Sequence, residues 1–263
     1  MKPIIKYQGG KTKELNIIAN LKPDNFFRIV EPFAGGAAVS LSFNMPSILN
    51  DINNPLINLY EIVSSNDYFA LQEKIDTLKK KTHDELEKEY YRARDVINDF
   101  KNHTPLDYAV SYIIIRQLCF SGMERYNFSG KFNVPFGHYK KFSCNLSLEH
   151  HNYFSNKVQL YKEDAVQIIE KCDKNDWIFI DPPYLDRLGY TTGDGGQDLH
   201  SRLVQSMKKT KANWLFIHVD CDYYRNELQE FNIKIEDFIY NQRFGKNKNH
   251  SDAKVKHIYV TNY

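Results

Sequence analysis

The sequence predicts an α/β fold whose sheet core is interrupted by a largely helical insertion. Three observations carry that expectation. Two short apolar runs of strand length, Phe26 to Val30 and Ser47 to Asn50, bracket a glycine turn and a helical stretch, which is the layout of a nucleotide-type βαβ unit. From Pro55 to about Cys119 the pattern becomes helical and, in its middle, highly charged. After about Lys157, strands and helices alternate again. A chain of 263 residues has room for one large domain, or for one domain carrying an insertion.

The elements follow in order. Lys13 to Leu21 has helical spacing of apolar residues, with Pro23 and Asp24 as its stop. The first core strand, Phe26 to Val30, runs into Glu31-Pro32-Phe33-Ala34-Gly35-Gly36, and Ala37 to Phe43 then reads as a helix. The second strand ends at Asp51. Ile113, Ile114 and Ile115 belong to a helix that Pro105 opens, because proline is tolerated in a first helical turn. Phe120 to Tyr139 is rich in Gly, Asn, aromatic and basic residues, which is loop or hairpin chemistry. Later elements are a strand over Val158 to Tyr161, a helix over Ala165 to Lys171, and strands over Trp177 to Ile180, Trp214 to Val219 and His257 to Thr261.

Composition narrows the class. The hydrophobic fraction of 42% is ample for a core, and a net charge of +2 means that any nucleic-acid binding must rest on a local patch. Cys119, Cys144, Cys172 and Cys221 form no CxxC pair, so neither a zinc site nor a disulfide framework is expected. No stretch reaches the ~18 apolar residues of a membrane span. The expectation is an intracellular, cytoplasmic protein with free thiols, no metal and no membrane contact.

Two groups of residues carry chemistry. In the first, the Phe33-Ala34-Gly35-Gly36 turn lets the backbone approach a ligand closely, and the following helix start favours an anion. Asp51, at the end of the next strand, is placed to accept hydrogen bonds from ribose hydroxyls. An earlier glycine turn, Tyr7-Gln8-Gly9-Gly10-Lys11, offers a ring to pack on a ligand and a lysine to pair with a carboxylate. Each turn alone is better explained by ordinary chain reversal. In the second group, Ile178-Phe179-Ile180 runs into Asp181-Pro182-Pro183-Tyr184. Prolines have no N–H, so carbonyls near them are free of a sheet ladder. An amino group on an aromatic ring can give its two hydrogens to the Asp181 carboxylate and the Pro182 carbonyl while the ring stacks on Tyr184. That arrangement aims the nitrogen lone pair at an electrophile. The plain alternative is a strand that stops at Asp-Pro.

These residues resemble the Dam-type, α-class (D12 class) DNA adenine-N6 methyltransferases. The resemblance runs through K-Y-Q-G-G-K (6–11), E-P-F-A-G-G-A-A (31–38), N-D-I-N-N-P-L-I-N-L-Y (50–60), F-S-G-M-E-R-Y-N-F-S-G-K-F-N-V-P-F-G (120–137), D-P-P-Y (181–184) and a closing V-T-N-Y. It implies a Rossmann-like core of residues 1–56 and 157–263. It also implies an inserted target-recognition domain, 57–156, mainly helical with a β-hairpin at 120–141. The implied donor is S-adenosyl-L-methionine, leaving S-adenosyl-L-homocysteine, and the acceptor is N6 of an adenine flipped from double-stranded DNA.

By position, the resemblance implies that Tyr7, Gly9, Gly10, Lys11, Phe33, Gly35, Gly36, Asp51, Asp164 and Asp181 bind the cofactor. Asp164 also suits a helix N-cap. Asp181, Pro182, Pro183 and Tyr184 hold the adenine. Phe120 and Met123 form an apolar wedge, Ser121, Arg125 and Asn127 read bases, and Lys131, Lys140 and Lys141 meet phosphates. Pro135 and His138 complete the DNA-facing set, although Phe132, Val134, Pro135 and Phe136 equally fit a packed hairpin. His138 stands where readers of GATC often carry Arg, so the expected site is GATC or a related short sequence. Ile217 to Asp220 replaces a Ser/Asn-rich strand end, and Gly189 to Gly196 reads as a lid. A monomer or weak dimer is expected.

Overall fold

In a computed structural model of the chain, which describes residues 1–184, 197–240 and 253–263, the apolar runs become the inner strands of one sheet. Its strands are β1 (Arg28–Glu31), β2 (Ser47–Asn50), β3 (Val158–Tyr161), β4 (Asp176–Ile180), β5 (Asn213–Val219), β6 (Asn232–Tyr240) and β7 (Ala253–Thr261). They lie in the order β3-β2-β1-β4-β5-β7-β6. The first five pair in parallel, and β7 runs antiparallel to both of its neighbours.

The helices are α1 (Leu15–Leu21), α2 (Ala38–Phe43), α3 (Asn54–Ser64), α4 (Tyr68–Leu78), α5 (His83–Asn98), α6 (Pro105–Leu118), α7 (Leu148–Lys157), α8 (Ala165–Glu170), α9 (Gln197–Lys209) and α10 (Asp222–Glu227). Parallel strands need long returns over the sheet, so its faces become covered and its strands read as unbroken apolar runs. Successive residues serve opposite faces. Val30, Ile178, Ile180, Trp214 and Phe216 join Val166, Ile169 and Leu203 on one side. Ile29, Trp177, Phe179, Leu215 and Ile217 join Ile18 and Val39 on the other. Among the described residues, no helix is long and apolar enough to cross a membrane.

Strand β1 sits between β2 and β4, the place where the winding of the sheet reverses. Sheets of this kind open a crevice there, beyond the carboxyl ends of the strands. Glu31, Asp51 and Asp181 all stand at or just after those ends.

Helices α3 to α7 fill the chain between β2 and β3. Helix α6 begins at Pro105 as expected, with Thr104 Oγ1 accepting the Asp107 N–H at 3.1 Å. Its last turn clasps the start of the chain. Gln117 Nε2 donates to the Ile4 carbonyl at 3.0 Å, Arg116 Nε to the Lys6 carbonyl at 3.0 Å, and Lys6 Nζ to the Gln117 carbonyl at 3.1 Å. The insertion thereby fixes the segment that carries Tyr7 and Lys11.

Some elements differ from the sequence expectation. Strand β1 starts at Arg28, because Phe26 packs beside Trp177 and Phe27 is 69% exposed. The expected first helix breaks into a short turn at Lys11–Lys13 followed by α1. Helices α7, α9 and α10 and strand β6 were not anticipated; β6 is an edge strand with an exposed, charged pattern. The segment 120–141 folds back on itself, but through isolated bridges, Cys119 to Phe136 and Tyr126 to Phe132, rather than continuous strands. The reason is local: Ser121 and Gly122, between the two bridges, take left-handed backbone conformations that interrupt a ladder. The stretch 189–196, read above as a lid, lies outside the described residues.

Candidate active site

The turn after β1 is built around Asp51. Gly35 has φ of +46°, and its N–H donates to Asp51 Oδ2 at 2.9 Å. Asp51 Oδ1 accepts the Asn53 N–H at 3.0 Å, and the Tyr60 hydroxyl donates to the Gly35 carbonyl at 2.6 Å. Burial pushes the Asp51 carboxyl up, against the pull of the Asn53 and Gly35 N–H groups. The Tyr7 ring lies directly on this turn: a Cβ on Gly35 would stand 2.9 Å from it. The two glycine turns, separate in sequence, thus form one cradle.

Lys11, only 3% exposed, reaches from the first turn to the end of β4. Its Nζ lies 2.6 Å from Asp181 Oδ2 and 2.9 Å from the Gly9 carbonyl. The expected carboxylate partner of Lys11 is therefore Asp181 itself. Burial drives the Asp181 carboxyl above its ordinary range, and the Lys11 ammonium opposes this without cancelling it. The Tyr184 ring is buried edge-on against His218, centroids 5.0 Å apart, so the changed strand end after Ile217 backs the Asp181-Pro182-Pro183-Tyr184 segment.

These residues enclose a cavity of about 390 Å³. Tyr7, Gly9, Gly10, Lys11, Phe33, Gly35, Gly36, Asp51, Asp164, Asp181, Pro182, Pro183 and Tyr184 all line it. Asp164 performs the capping role too: Oδ1 accepts the Val166 N–H at 2.8 Å, and Oδ2 pairs with Arg202 at 2.7 Å. Burial pulls its carboxyl up, yet Arg202 and that N–H together bring it below the usual range.

The cavity contains acids that the sequence reading passed over. Glu31 is 2% exposed, accepts the Ser40 N–H at 2.8 Å, and is pushed by burial from 4.5 up to about 7. It shares a signature with Asp51 and Asp181, an acid at the end of an apolar run, and that signal was available. Glu124 also lines the cavity, although it belongs to the segment after α6. Nothing in its sequence position marks it, because only the fold brings that segment to the crevice.

The expected DNA-facing residues stay apart from the cavity lining. Phe120 is 44% exposed, Ser121, Arg125, Asn127, Lys131, Pro135, His138, Lys140 and Lys141 are exposed, and Met123 is half-buried against the helical core. Arg125 Nε donates to Asn133 Oδ1 at 2.9 Å across the fold-back. Asn127 Oδ1 closes the turn by accepting the N–H groups of Ser129 (3.1 Å) and Lys131 (2.9 Å). His138 lies against His83 of α5, ring centroids 6.2 Å apart. Phe128, unremarked in the sequence, is fully exposed at the tip of the turn.

Comparison with known proteins agrees with this geometry. The model of the D12 class N6 adenine-specific DNA methyltransferases matches residues 7–242. The chain is 30% identical to the Type II methyltransferase M.CviBI of Paramecium bursaria Chlorella virus NC1A, over 100% of both chains. It is 30% identical to the Type II methyltransferase M.MjaIII of Methanocaldococcus jannaschii, over 89% of this chain and 90% of that one. It is 33% identical to the DNA adenine methylase of Escherichia coli (strain K12), over 68% of this chain and 64% of that one. A match spanning both glycine turns, the helical insertion and the Asp181-Pro182-Pro183-Tyr184 segment settles the family, and the chain belongs to the D12 class N6 adenine-specific DNA methyltransferases.

Proposed function

We propose that the methyl donor is S-adenosylmethionine and that the acceptor is N6 of an adenine flipped from duplex DNA, within GATC or a related short site. The observation that carries this reading is the cavity at the β1/β4 switch point, where both glycine turns meet Asp181. The residues present fit such a cofactor. Gly35 and Gly36 let the Tyr7 side chain pack on the turn where a Cβ would meet it, and the acids Glu31, Asp51, Glu124 and Asp181 suit a ligand with cationic groups and ribose hydroxyls. When bound, S-adenosylmethionine supplies an electrophilic methyl group.

The chain's own residues do the rest. Lys11 engages Asp181 Oδ2, which leaves Oδ1 as acceptor for one N6 hydrogen, with the Pro182 carbonyl for the other. Two acceptors on one amino group draw its lone pair out of the ring and fix its direction, so the gain comes from orientation and charge placement. Tyr184 walls the pocket for the base. Removing the base from the duplex is required because N6 is otherwise paired inside the helix. Residues 57–156 form the recognition domain in this reading, with Phe120, Met123, Arg125 and the exposed lysines of 120–141 meeting DNA, joined by Phe128.

The test is labelled methyl transfer from S-adenosylmethionine to unmethylated duplex DNA, followed by mapping of the modified adenines. Label at N6 in GATC supports the full reading and shows that His138 is tolerated. Label in another short site keeps the chemistry and assigns a new specificity to 120–141. Label in RNA or protein alone overturns the duplex reading. Gly35→Ala supplies a second check. The added Cβ meets the Tyr7 ring in a left-handed backbone that costs about 1–2 kcal/mol for a non-glycine residue. S-adenosylmethionine affinity by calorimetry is expected to fall roughly tenfold, the equivalent of ~1.4 kcal/mol, and unchanged affinity would remove this turn from the site.

A further inference from the structure

We propose that Glu124 is a positioning residue that couples occupancy of the cofactor cavity to the DNA-reading segment, so that cofactor and duplex strengthen each other's binding. The inference rests on the proposed reading of the cavity as the cofactor site and of 120–141 as DNA-facing.

Glu124 is 13% exposed and is held by one ion pair and two hydrogen-bond donors, each from a different part of the molecule. Arg116 Nη1 of α6 lies 3.0 Å from Oε2. Asn53 Nδ2, from the loop between β2 and α3, donates to Oε1 at 3.2 Å. The Tyr126 hydroxyl, from the fold-back itself, donates to Oε1 at 2.9 Å. Asn53 is tied to Asp51 through its backbone N–H, and it caps α3 by accepting the Leu56 N–H at 3.2 Å. Arg116 is tied to the other side of the cradle. It holds the Lys6 carbonyl, and its guanidinium lies 5.4 Å from the Tyr7 ring centroid. One carboxylate therefore gathers the two cofactor turns and the recognition segment.

Glu124 is not free to let go. Arg116 is 1% exposed, and a buried guanidinium stripped of its partner is strongly disfavoured. The next residue, Arg125, is fixed across the fold-back to Asn133, whose N–H returns to the Arg125 carbonyl at 3.2 Å. A backbone shift at Glu124 is passed directly to Arg125, its neighbour in the chain. Asp51 and Glu124 both present carboxylates to that wall, so a ligand bearing cationic or hydroxyl donors there favours one placement of Glu124. Coupling of this kind is reciprocal by linkage: if the cofactor tightens DNA, DNA tightens the cofactor by the same factor.

The experiment measures affinity for the duplex in which methylation has been mapped, by fluorescence anisotropy, with and without saturating S-adenosylhomocysteine. The wild-type ratio of the two affinities is expected to be roughly fivefold or more, the lower end of ordinary coupling between sites. Glu124→Gln keeps the shape and removes the charge, and it should bring the ratio to within about twofold of unity. Because that variant leaves Arg116 uncompensated, Tyr126→Phe is measured beside it; it removes one hydrogen bond, keeps the ion pair, and should give an intermediate ratio. A purely structural role would lower the melting temperature and leave the ratio unchanged. A wild-type ratio of one with both ligands bound, or a Tyr126→Phe ratio equal to the wild type's, overturns the coupling and spares the proposed function. A wild-type protein that binds neither S-adenosylhomocysteine nor duplex overturns the reading beneath it as well.

Discussion

Asp181→Asn is expected to lower the rate of methyl transfer by two to three orders of magnitude, while duplex affinity stays within about threefold of the wild type's. The asparagine keeps the size of the side chain and one acceptor oxygen. It loses the charge, and it turns one oxygen into a donor that cannot accept from the N6 amino group. The effect falls on the chemical step because Asp181 stands at the end of β4, inside the cavity, and outside the exposed 120–141 surface. Asp181→Ala is a harsher probe. It strips Lys11, 3% exposed, of a partner at 2.6 Å, and breaking such a pair costs about 3–5 kcal/mol. Any activity lost in Asp181→Ala thus mixes catalysis with folding, whereas Asn leaves Lys11 an oxygen to hold. Single-turnover transfer of labelled methyl, with anisotropy on the same duplex, separates the two. A variant retaining more than about a third of the wild-type rate removes Asp181 from the mechanism.

How much of this was legible in the sequence depends on where each signal is stored. The central strands were readable because a parallel strand buried on both faces must be apolar at every position, as in Trp177 to Ile180. Their acidic ends were readable because a charge that terminates such a run needs a reason. That rule found Asp51 and Asp181 and applies equally to Glu31. The edge strand β6 escaped because, among the described residues, it pairs only with β7, and Asn232 to Phe238 are largely exposed, so their pattern carries little burial. Helix α9 has its apolar face in Leu203, Val204 and Met207, but it follows a glycine-rich stretch whose local pattern is that of a loop. The Lys11–Asp181 pair, 170 residues apart, and the three partners around Glu124 are products of tertiary folding. Sequence offered Lys11 a carboxylate without saying which one. It offered Glu124 nothing, since a glutamate between Met123 and Arg125 in a polar segment looks like a solvated charge.

Glu31→Gln is expected to make the cofactor-free protein more stable at pH 8 and to weaken the cofactor, two effects of one buried acid. Burial raises the Glu31 carboxyl from 4.5 to about 7, with Asp181 adding repulsion and the Ser40 N–H opposing. Below pH 4.5 the group is neutral in folded and unfolded chains alike, and its stabilising balance is fully retained. As pH rises toward 7 only the unfolded chain gives up the proton, so stability falls with pH. Above 7 the whole penalty is present, about 3 kcal/mol at ~1.4 kcal/mol per pH unit. Gln is neutral throughout, and its carbonyl can keep the Ser40 N–H. The gap between variant and wild type should therefore open from pH 5 to pH 8 in denaturant melts and approach that figure at the upper end. Cofactor binding runs the other way. A cationic ligand favours the ionised acid, so wild-type affinity for S-adenosylmethionine should rise as pH passes through about 7. The variant should bind about tenfold more weakly at pH 8, with a flatter profile. The cost of ionising Glu31 in the empty cavity is what a cationic ligand recovers on binding, and residues held for such a purpose commonly destabilise the protein that carries them. Equal stability and equal pH slopes in the two proteins would show that Glu31 is neither strained by burial nor turned toward the ligand.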